Sequence, residues 1–488
     1  MLKRLLLPLS LPFMLLSGCA MGPDYKKPEV KVPTAFRQAT PADEELAKRW
    51  QAVDYAKLGT KTGAWWKDWW QLPDDHELAQ RLALVAEANP NVELVAAQYR
   101  QADALLSGAR ASWWPSLSTG VSSSRGEGIV GSTVTTGGEV KVTDKVSTTL
   151  SWEMDLWGRI GRGVESNQAA KEASAADLQA AILSAQMAFA QSYLQWQSNH
   201  QQQNLLDRSL KTYARTLEMA RSRYEAGVAS RTDVLQAETQ LNGTRAQLLD
   251  LGIQQAQLEH AMAVLLGKAP SELAAPKLTG LPTLPSLPAM LPSQILLARP
   301  DVAAAERRVA AANAQIGVAQ AAFFPTLTLG STLGYQDNTF SNIVSAPNRF
   351  WSFGPSLALT LFDGGARSAA KIQAQAVHAQ RTASYRQTVL TAFQEVEDQL
   401  AALRILASEE EMQVASASAA QLTTQITEHQ YQAGVVAYLN VLNAQVVAMS
   451  AERTLLDVQL RRLLASIALI KAVGGNVQVP KTEPGKLG

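Results

Sequence analysis

Apolar residues recur at alternating spacings of three and four in two long stretches without proline, residues 116–269 and 356–479. One row is Leu206, Leu210, Tyr213, Leu217, Ala220 and Tyr224, and another is Leu241, Thr244, Leu248, Leu251, Gln255, Leu258, Met262 and Leu265. The spacing returns at Leu439, Leu442, Val446, Met449, Arg453, Leu456, Leu460, Leu463 and Ile467. Such heptad seams predict long helices that pack as coiled coils, not around one globular core. A helix over roughly residues 163–226 would be about 95 Å long.

Shorter segments alternate with period two instead, which is typical of β-strands. They cover roughly residues 115–124, 144–155, 325–335 and 353–363. Each segment has about ten residues, with apolar residues on one face and small or polar residues on the other. This pattern is typical of the strands of a transmembrane β-barrel. Four strands cannot close a barrel, and lipid does not tolerate an open sheet edge. Either these are not membrane strands, or several chains contribute to one barrel.

The sequence contains an internal repeat of one long unit. Tyr224-Glu-Ala-Gly227-Val matches Tyr431-Gln-Ala-Gly434-Val at an offset of 207 residues. The offset is 208 between Asp155 and Asp363, and 210 between the Pro90 and Pro115 segments and those of Pro300 and Pro325. Glycine adopts positive φ without steric cost, so Gly227 and Gly434 each predict a sharp turn between two helices.

The first residues predict export from the cytoplasm. Lys3 and Arg4 precede an apolar run from Leu5 to Leu16, as in a secretory signal peptide. Cys19 is the single cysteine of the chain and ends the segment Leu-Ser-Gly-Cys, which resembles a bacterial lipobox. The alternative is a chance cysteine near a cleavage site. Ala20 follows it, not the aspartate of an inner-membrane retention signal, so we expect S-diacylglycerol and N-acyl groups on Cys19 and the outer membrane of a Gram-negative cell as the location.

The predicted organisation is a signal peptide (1–18), a lipidated extended segment (19–75), a first structural repeat (76–269), a Pro-rich linker (270–297), a second structural repeat (298–475) and a tail (476–488). The extended segment ends near Trp65-Trp66-Lys-Asp-Trp69-Trp70, which we interpret as aromatic anchors on the body of the protein. A helical pattern over residues 76–112 is expected to break or kink at Pro90.

Signals for catalysis or metal binding are weak. The five histidines, His76, His200, His260, His378 and His429, are scattered without metal-ligand spacing. No nucleotide-binding or nucleophile-elbow motif occurs, and the carboxylates Glu395, Glu397 and Asp398 are interpreted as a solvated helix face. A net charge of +1 gives no reason to expect nucleic acid as a partner. We expect no enzyme, no metal and no cofactor other than the covalent lipid.

The lipobox, the duplicated strand-strand-helix-helix unit, the tryptophan-rich segment and the paired glycine turns together resemble the TolC-like outer-membrane efflux factors. Within that family the chain is most similar to the lipoprotein (NodT-type) branch that serves RND multidrug efflux systems. The resemblance implies a mainly α fold with membrane β structure. It implies a homotrimer that forms a 12-stranded outer-membrane barrel, continuous with a long periplasmic α-helical barrel.

The resemblance also assigns a periplasmic aperture to the turns. By matched position, Asp233 is the acidic residue of the first repeat and Tyr431 the tyrosine of the second. Where the family has acidic residues six and nine places after the second glycine, this chain has Asn440 and Asn443, and an arginine of the best-known members is Val436 here. We hypothesise closure by Tyr431 packing and asparagine hydrogen bonds, with Asp233 as the one charged ring. The alternative is that the asparagines only cap local turns.

The function that the resemblance implies is a passive exit duct. An inner-membrane RND-type transporter would supply the energy, and a periplasmic adaptor protein would contact the turns at Gly227, Val228, Arg231, Gly434 and Val435. Drugs and similar small molecules would leave the cell through it. Two alternatives stay open at this point: a duct for type I protein secretion, and a trimeric coiled-coil structural lipoprotein.

Overall fold

The computed structural model describes residues 21–30, 36, 76–127, 140–274, 276, 280–281, 296 and 299–474. The predicted signal peptide, Cys19, the tryptophan-rich segment, most of the Pro-rich linker and the tail lie outside the described residues. The chain forms two compact units. Unit 1 holds the described residues of Met1–Glu29, Gln98–Ala175 and Ala304–Tyr385, and unit 2 holds those of Val30–Ala97, Ala176–Ala303 and Arg386–Gly488.

From the helix that precedes each strand pair onward, the helices and strands occur in the same order in both halves of the chain, and the first half has one additional helix before them. The first half contains α1 (His76–Ala88), α2 (Pro90–Ala111), β1 (Ser116–Glu127), β2 (Val140–Met154), α3 (Arg159–Glu225) and α4 (Arg231–Leu265). The second half contains α5 (Pro300–Ala321), β3 (Thr326–Asp337), β4 (Arg349–Ala358), α6 (Ala366–Gln432) and α7 (Tyr438–Ala472). Helices α3 and α6 have 67 residues each, and α4 and α7 have 35 each. The structure therefore repeats the strand-strand-helix-helix order that the sequence predicts.

Proline and its neighbour set the boundary between α1 and α2. Pro90 occupies the first position of α2, where its missing N–H costs no helical hydrogen bond. The Asn89 side chain caps the new helix, since its Oδ1 accepts from the backbone N of Asn91 at 2.9 Å and of Val92 at 3.2 Å. The expected break at Pro90 is thus a change from one helix to the next.

Unit 1 contains an antiparallel sheet with the strand order β1-β2-β3-β4. The central pair joins the two halves of the chain, with Trp152 opposite Leu329 and Met154 opposite Leu327. Strands β1 and β4 are the edges of this sheet. Trp351, Phe353 and Leu357 of β4 alternate and are all exposed, so β4 presents an apolar face to the outside of the unit.

The fourth strand lies earlier in the sequence than predicted: it covers Arg349–Ala358, whereas the alternation predicts roughly residues 353–363. We expected it to continue to residue 363, but it ends at Ala358, opposite Thr326, the first residue of β3. Leu359, Leu361 and Phe362 follow, have no strand partners among the described residues and are exposed. The strand prediction was wrong here because β4 has a neighbour on one side only, and β3 begins too late to pair with the last five residues.

Residues 21–25, which follow Cys19 closely, contact other residues of unit 1. The backbone N of Met21 donates to the Trp157 carbonyl at 3.1 Å. Arg162 on α3 is buried and donates to the Asp24 carboxylate at 2.9 Å, and the Tyr25 hydroxyl donates to Glu306 on α5. A side chain on Gly22 would approach the Cα of Gly317 to 2.5 Å, so only glycine fits this contact.

Unit 2 contains the main apolar core. Its largest buried side chains include Phe189, Tyr193 and Trp196 of α3, which stack in sequence with ring centroids 6.3–6.5 Å apart. They pack with residues of α1, α4 and α7, namely Leu78, Leu82, Val85, Met262, Leu463, Ile467 and Ile470. Among the described residues, no helix combines the length and the apolar character that a membrane crossing requires.

Candidate functional site

The two glycine turns, both in unit 2, have nearly the same geometry. Gly227 has φ of 74° and Gly434 has φ of 78°, the left-handed region that glycine reaches without strain. The backbone N of Val228 donates to the Arg223 carbonyl at 2.9 Å, and that of Val435 to the Gln430 carbonyl at 2.8 Å. This bond across the turn closes the helix end as a Schellman motif. Each long helix therefore stops where the sequence predicts.

The residues expected to meet an adaptor protein lie on the surface of unit 2. Val228 is 66% exposed and Val435 is 72% exposed, and Gly227, Arg231 and Gly434 are exposed as well. An exposed valine at the tip of each hairpin is an apolar contact point on the surface. The adaptor contact itself stays a prediction.

The helices that leave the two turns begin differently. Helix α4 has Ser230 as its N-cap, whose Oγ accepts from the backbone N of Asp233 at 3.2 Å. Helix α7 has Ala437 at the equivalent position, and no side chain caps it. Asp233 lies in the first turn of α4, where a negative charge interacts favourably with the helix dipole. The first hairpin is thus capped more strongly than the second.

Tyr431 occupies the centre of a contact between the two hairpins. The tyrosine is 4% exposed and packs edge-on against Tyr438, with ring centroids 5.9 Å apart. The Arg223 guanidinium lies over its ring at 4.7 Å, and Arg223 Nη1 donates to the Tyr431 carbonyl at 2.7 Å. That carbonyl belongs to the last turn of α6, so a cation there also interacts favourably with the dipole of α6.

Sequence reasoning missed Arg223. A signal was available, because Arg223 is the residue before Tyr224 and its counterpart in the second repeat, Gln430, carries no charge. The contact partner lies 208 residues away in the chain, however, and nothing local predicts that pairing. The first hairpin thus supplies a guanidinium to the second hairpin, which has Val436 two residues after its glycine.

Burial raises the pKa of the Tyr431 hydroxyl, and Asp233 raises it further while Arg223 lowers it. Burial, followed by the neighbouring Tyr431, raises the pKa of Tyr438 to about 12. Both phenols are therefore neutral at physiological pH. Within the described part of the chain, the Tyr431 hydroxyl has no hydrogen-bond partner.

Asn440 and Asn443 lie on the exposed side of the first turns of α7. Among the described residues, neither side chain forms a hydrogen bond, and neither caps the turn at Ala437. The alternative that they only cap local turns is therefore not supported by this geometry. Asp233, the counterpart of Asn440 in the first repeat, is partly exposed. Of the four predicted aperture residues, three reach the surface and Tyr431 lies beneath it.

Other polar clusters have structural explanations. Glu395, one of the carboxylates noted in the sequence, accepts from Arg299 Nη1 at 2.7 Å. Arg299 Nη1 also donates to the Ala472 carbonyl at 2.6 Å. Across the described ranges, no group of three or more histidine, cysteine, aspartate or glutamate residues is placed to hold a metal ion.

The sequence matches the outer membrane efflux protein family over residues 82–268 and 291–475, more than half of its length. The chain belongs to this family. Its relatives include the probable efflux pump outer membrane protein TtgC of Pseudomonas putida, 31% identical over 97% of this chain and 96% of that protein. Another is the cation efflux system protein CusC of Escherichia coli, 28% identical over 96% of this chain and 98% of that protein. Among solved structures, the outer-membrane channel OprN aligns with a TM-score of 0.84 at 28% identity, over 94% of this chain and 99% of that one.

Membership establishes the broad function. This outer membrane efflux protein is an outer-membrane channel of a tripartite efflux system, located in the outer membrane of a Gram-negative cell and extending into the periplasm. The family consists of channel proteins and not of enzymes. It implies an adaptor and an inner-membrane transporter as partners. The likeness to solved channels also confirms the mainly helical, TolC-like fold.

Proposed function

We propose that three copies of this efflux protein close a 12-stranded barrel and continue as an α-helical tunnel, which passively conducts drugs and similar small molecules out of the cell. The observation that carries the proposal is the four-stranded sheet with two edges, β1 and β4. An edge strand cannot remain unpaired in lipid, because each free N–H or C=O costs several kcal/mol there. Pairing β4 of one copy with β1 of the next removes both edges, and a ring of three closes.

The internal repeat predicts the register of this pairing. Within one chain, Met154 of β2 lies opposite Leu327 of β3. In the repeat, Phe362 corresponds to Met154 (offset 208) and Leu117 corresponds to Leu327 (offset 210). By analogy, Phe362 of one copy should lie opposite Leu117 of the next copy. Phe362 is 89% exposed and Leu117 is 70% exposed in the single chain. The residues after Ala358, which lack a partner in one copy, thereby gain one in the trimer.

Disulfide cross-linking tests the register. The variant with Leu117→Cys and Phe362→Cys is expected to form trimers on oxidation that resist denaturation and dissociate on reduction, since paired Cα atoms about 4.5–5.5 Å apart are within disulfide reach. The matched control combines Leu117→Cys with Leu359→Cys, three residues out of register. Equal cross-linking in both variants, or none in either, would contradict the proposed pairing.

The helical part of the proposal rests on apolar residues that the single chain leaves exposed. Helices α4, α6 and α7 carry such residues along their length, including Leu249, Ile253, Leu390, Met412, Leu422 and Val447. Together with the heptad seams, these positions are suited to packing against a neighbouring copy. With energy supplied by the inner-membrane transporter, the tunnel needs no coupling site of its own.

Three-fold symmetry would bring the tips of the hairpins together around one axis. We assign the closed aperture to Asp233, Tyr431, Asn440 and Asn443, with Arg223 holding the second hairpin against the first. The supporting geometry is the exposure of Asp233, Asn440 and Asn443 and the buried contact of Arg223 with Tyr431. Three copies of each exposed side chain close to one axis can restrict a narrow pore with modest hydrogen bonds. The adaptor would bind the exposed turns at Gly227, Val228, Arg231, Gly434 and Val435.

The boundaries of the two structural repeats, 76–269 and 298–475, and the lipid on Cys19 also remain part of the proposal. Mass spectrometry of the intact protein tests the lipid. A Cys19→Ser variant should lose the mass of the diacylglycerol and acyl groups.

A strain that lacks this gene tests the cargo. Hypersensitivity to chemically unrelated amphipathic drugs, dyes and detergents is the expected result for a multidrug duct. Sensitivity to one narrow class of compounds would still support an exit duct, but would assign it to a different kind of pump. Loss of a secreted protein without a change in susceptibility would instead favour type I protein secretion and overturn the small-molecule proposal.

A further inference from the structure

The two hairpins of unit 2 meet along a seam within the chain, where α3 of the first hairpin packs against the second hairpin. Tyr213 and Tyr438 belong to one apolar cluster that includes residues of α3, α4, α6 and α7. Four side-chain contacts follow this intrachain seam toward the turns: Arg208 Nη2 with Glu452 Oε2 at 3.9 Å, the Tyr213 hydroxyl with the Met449 sulfur at 3.7 Å, Gln445 Nε2 with Thr216 Oγ1 at 3.3 Å, and Arg223 Nη1 with the Tyr431 carbonyl at 2.7 Å.

The internal repeat provides a second pair of faces that corresponds to this seam. Helices α3 and α6 correspond residue by residue at an offset of 207, and so do α4 and α7. The α3 face that receives α7 therefore corresponds to a face of α6, and the α7 face corresponds to a face of α4. In the single chain, Thr423 and Gln430 on the α6 face and Asn242 and Arg245 on the α4 face are exposed.

A second copy of this chain fits these two faces. In the proposed trimer, β4 of one copy pairs with β1 of the next copy, just as β2 pairs with β3 within one chain. The rotation that carries the first repeat onto the second then carries the contact of α3 with α7 onto a contact of α6 with α4 of the next copy. We call this contact the intercopy seam, and its placement rests on the proposed trimer.

Two contacts of the intrachain seam have no equivalent in the intercopy seam. Ala415 and Arg245 occupy the positions of its ion pair, and an alanine cannot pair with a guanidinium. Ala420 and Asn242 occupy the positions of its tyrosine and methionine. A small side chain opposite a polar one replaces the contact of an aromatic ring with a thioether.

A third contact changes its hydrogen-bonding character. Glu238 corresponds to Gln445, and Thr423 corresponds to Thr216. Within the chain, the Gln445 amide is the donor, whereas a glutamate carboxylate only accepts. The Thr423 hydroxyl donates to the Ala419 carbonyl at 2.8 Å, so it can donate to Glu238 of the next copy only by giving up that bond.

The contact at the turns loses its cation. Gln430 corresponds to Arg223, and Tyr224 corresponds to Tyr431. A neutral amide would therefore face the tyrosine of the next copy, without the attraction of a guanidinium to an aromatic ring. Tyr224 is 45% exposed, whereas Tyr431 is 4% exposed. All four contacts are thus weaker between copies than within a chain.

We propose that the aperture first opens along the intercopy seam, while the two hairpins of each chain stay together. Separation within a chain would have to break the bond of Arg223 to Tyr431 and expose the apolar cluster around Tyr213 and Tyr438. Separation between copies breaks contacts of small, neutral or mismatched side chains instead. The turns of neighbouring copies would move apart as this seam opens.

Reversible cross-linking of the purified, full-length protein tests the proposal. One variant carries Thr423→Cys and Glu238→Cys across the intercopy seam, and the other carries Thr216→Cys and Gln445→Cys at the equivalent positions within the chain. A short bis-methanethiosulfonate reagent links such thiols, and a reductant releases them. In planar bilayers, the linked intercopy variant should lose its openings and regain them on reduction. The linked intrachain variant should keep its openings, and each unlinked variant is its own control for folding.

A substitution that needs no cross-linker gives a second measurement. Gln430→Arg supplies the intercopy seam with the guanidinium that it lacks, so the channel should open less often than the native one. His429→Arg is the matched control, because it adds the same cation one residue earlier on an exposed position that does not correspond to Arg223. A lower opening frequency in both variants to the same extent would contradict a specific effect at the seam.

The cross-linking results separate this proposal from the trimer on which it rests. Openings that persist in the linked intercopy variant, or that disappear equally in both linked variants, would overturn the proposal. If Leu117→Cys with Phe362→Cys links the copies but Thr423→Cys with Glu238→Cys does not, the intercopy seam is wrong and the trimer stands. If neither pair links the copies, the proposed trimer fails as well.

Discussion

Arg223 joins the ends of two helices that the sequence separates by 208 residues, donating from Nη1 to the Tyr431 carbonyl at 2.7 Å while its guanidinium covers the Tyr431 ring. The arginine belongs to the last turn of α3 and the tyrosine to the last turn of α6. One side chain therefore satisfies a helix-terminal carbonyl and covers an aromatic ring at the same point. A movement of the second hairpin away from the first would have to break both contacts.

Removing the Arg223 guanidinium should loosen the second hairpin. In Arg223→Gln, the charge-assisted hydrogen bond and the ring contact are lost, at a cost of about 1.5–3 kcal/mol for the hydrogen bond. We expect a higher mean single-channel conductance and longer openings in planar bilayers. The conductance of Arg223→Lys should lie between those of the native channel and Arg223→Gln, because lysine keeps the charge but not the planar donor fork.

Arg221→Gln is the control for this experiment, since Arg221 lies on the same helix and pairs with Glu238 on an exposed surface. Exposed ion pairs contribute about 0–1 kcal/mol, so its conductance should match that of the native channel. If Arg223→Gln also has native conductance, Arg223 only closes the end of α6 and has no role in the aperture.

The two asparagines of α7 should affect ion flow if they line the aperture. Replacing both Asn440 and Asn443 with alanine removes neutral hydrogen-bonding groups and should raise the conductance of the closed channel. Replacing both with aspartate should increase the preference for cations over anions, because the three copies of the proposed trimer would place six additional carboxylates near one axis. Reversal potentials in a salt gradient measure this preference.

Asn242→Ala serves as the comparison, because Asn242 is an exposed asparagine on α4 away from the turn. Its conductance should be native. Native conductance and selectivity in both of the Asn440 and Asn443 double variants would remove these residues from the aperture.

The unequal caps of α4 and α7 predict unequal stability at the two tips. Ser230→Ala removes a side-chain cap and should destabilise the start of α4 by about 0.5–2 kcal/mol. Ala437→Ser adds the missing cap and should stabilise the start of α7 by a similar amount. Hydrogen exchange of the first-turn amides measures both, with faster exchange in the first variant and slower exchange in the second. The same direction of change in both variants would contradict the assignment of the caps.

Local features of the sequence predict the helix boundaries well. Gly227 and Gly434 end the long helices where only glycine adopts the required φ without strain, and Pro90 separates α1 from α2. The two features that the sequence did not predict depend on distant partners. The strand β4 ends at Ala358 because β3 offers no further residues to pair with, and Arg223 meets Tyr431 through the packing of one hairpin on the other. Periodicity within a segment contains no information about either neighbour.

Raising the pH above the physiological range should weaken the contact between the hairpins through Tyr438. Burial, then the neighbouring Tyr431, raises the pKa of Tyr438 to about 12, whereas a tyrosine in the unfolded chain titrates near ~10. The folded state thus retains a proton that the unfolded state releases. The stability from the neutral phenol is fully present below pH ~10 and is lost progressively as the pH rises to about 12. The loss is about 1.4 kcal/mol for each pH unit in this window.

Thermal unfolding of the purified protein between neutral pH and the upper end of this window measures the effect. Tyr438→Phe cannot ionise, so its unfolding temperature should fall less steeply with pH than that of the native protein. Tyr224→Phe is the control, because Tyr224 is the counterpart of Tyr431 in the first repeat but is exposed. Its pH dependence should follow that of the native protein. Parallel curves for all three proteins would show that the phenol of Tyr438 is not protected by burial between the hairpins.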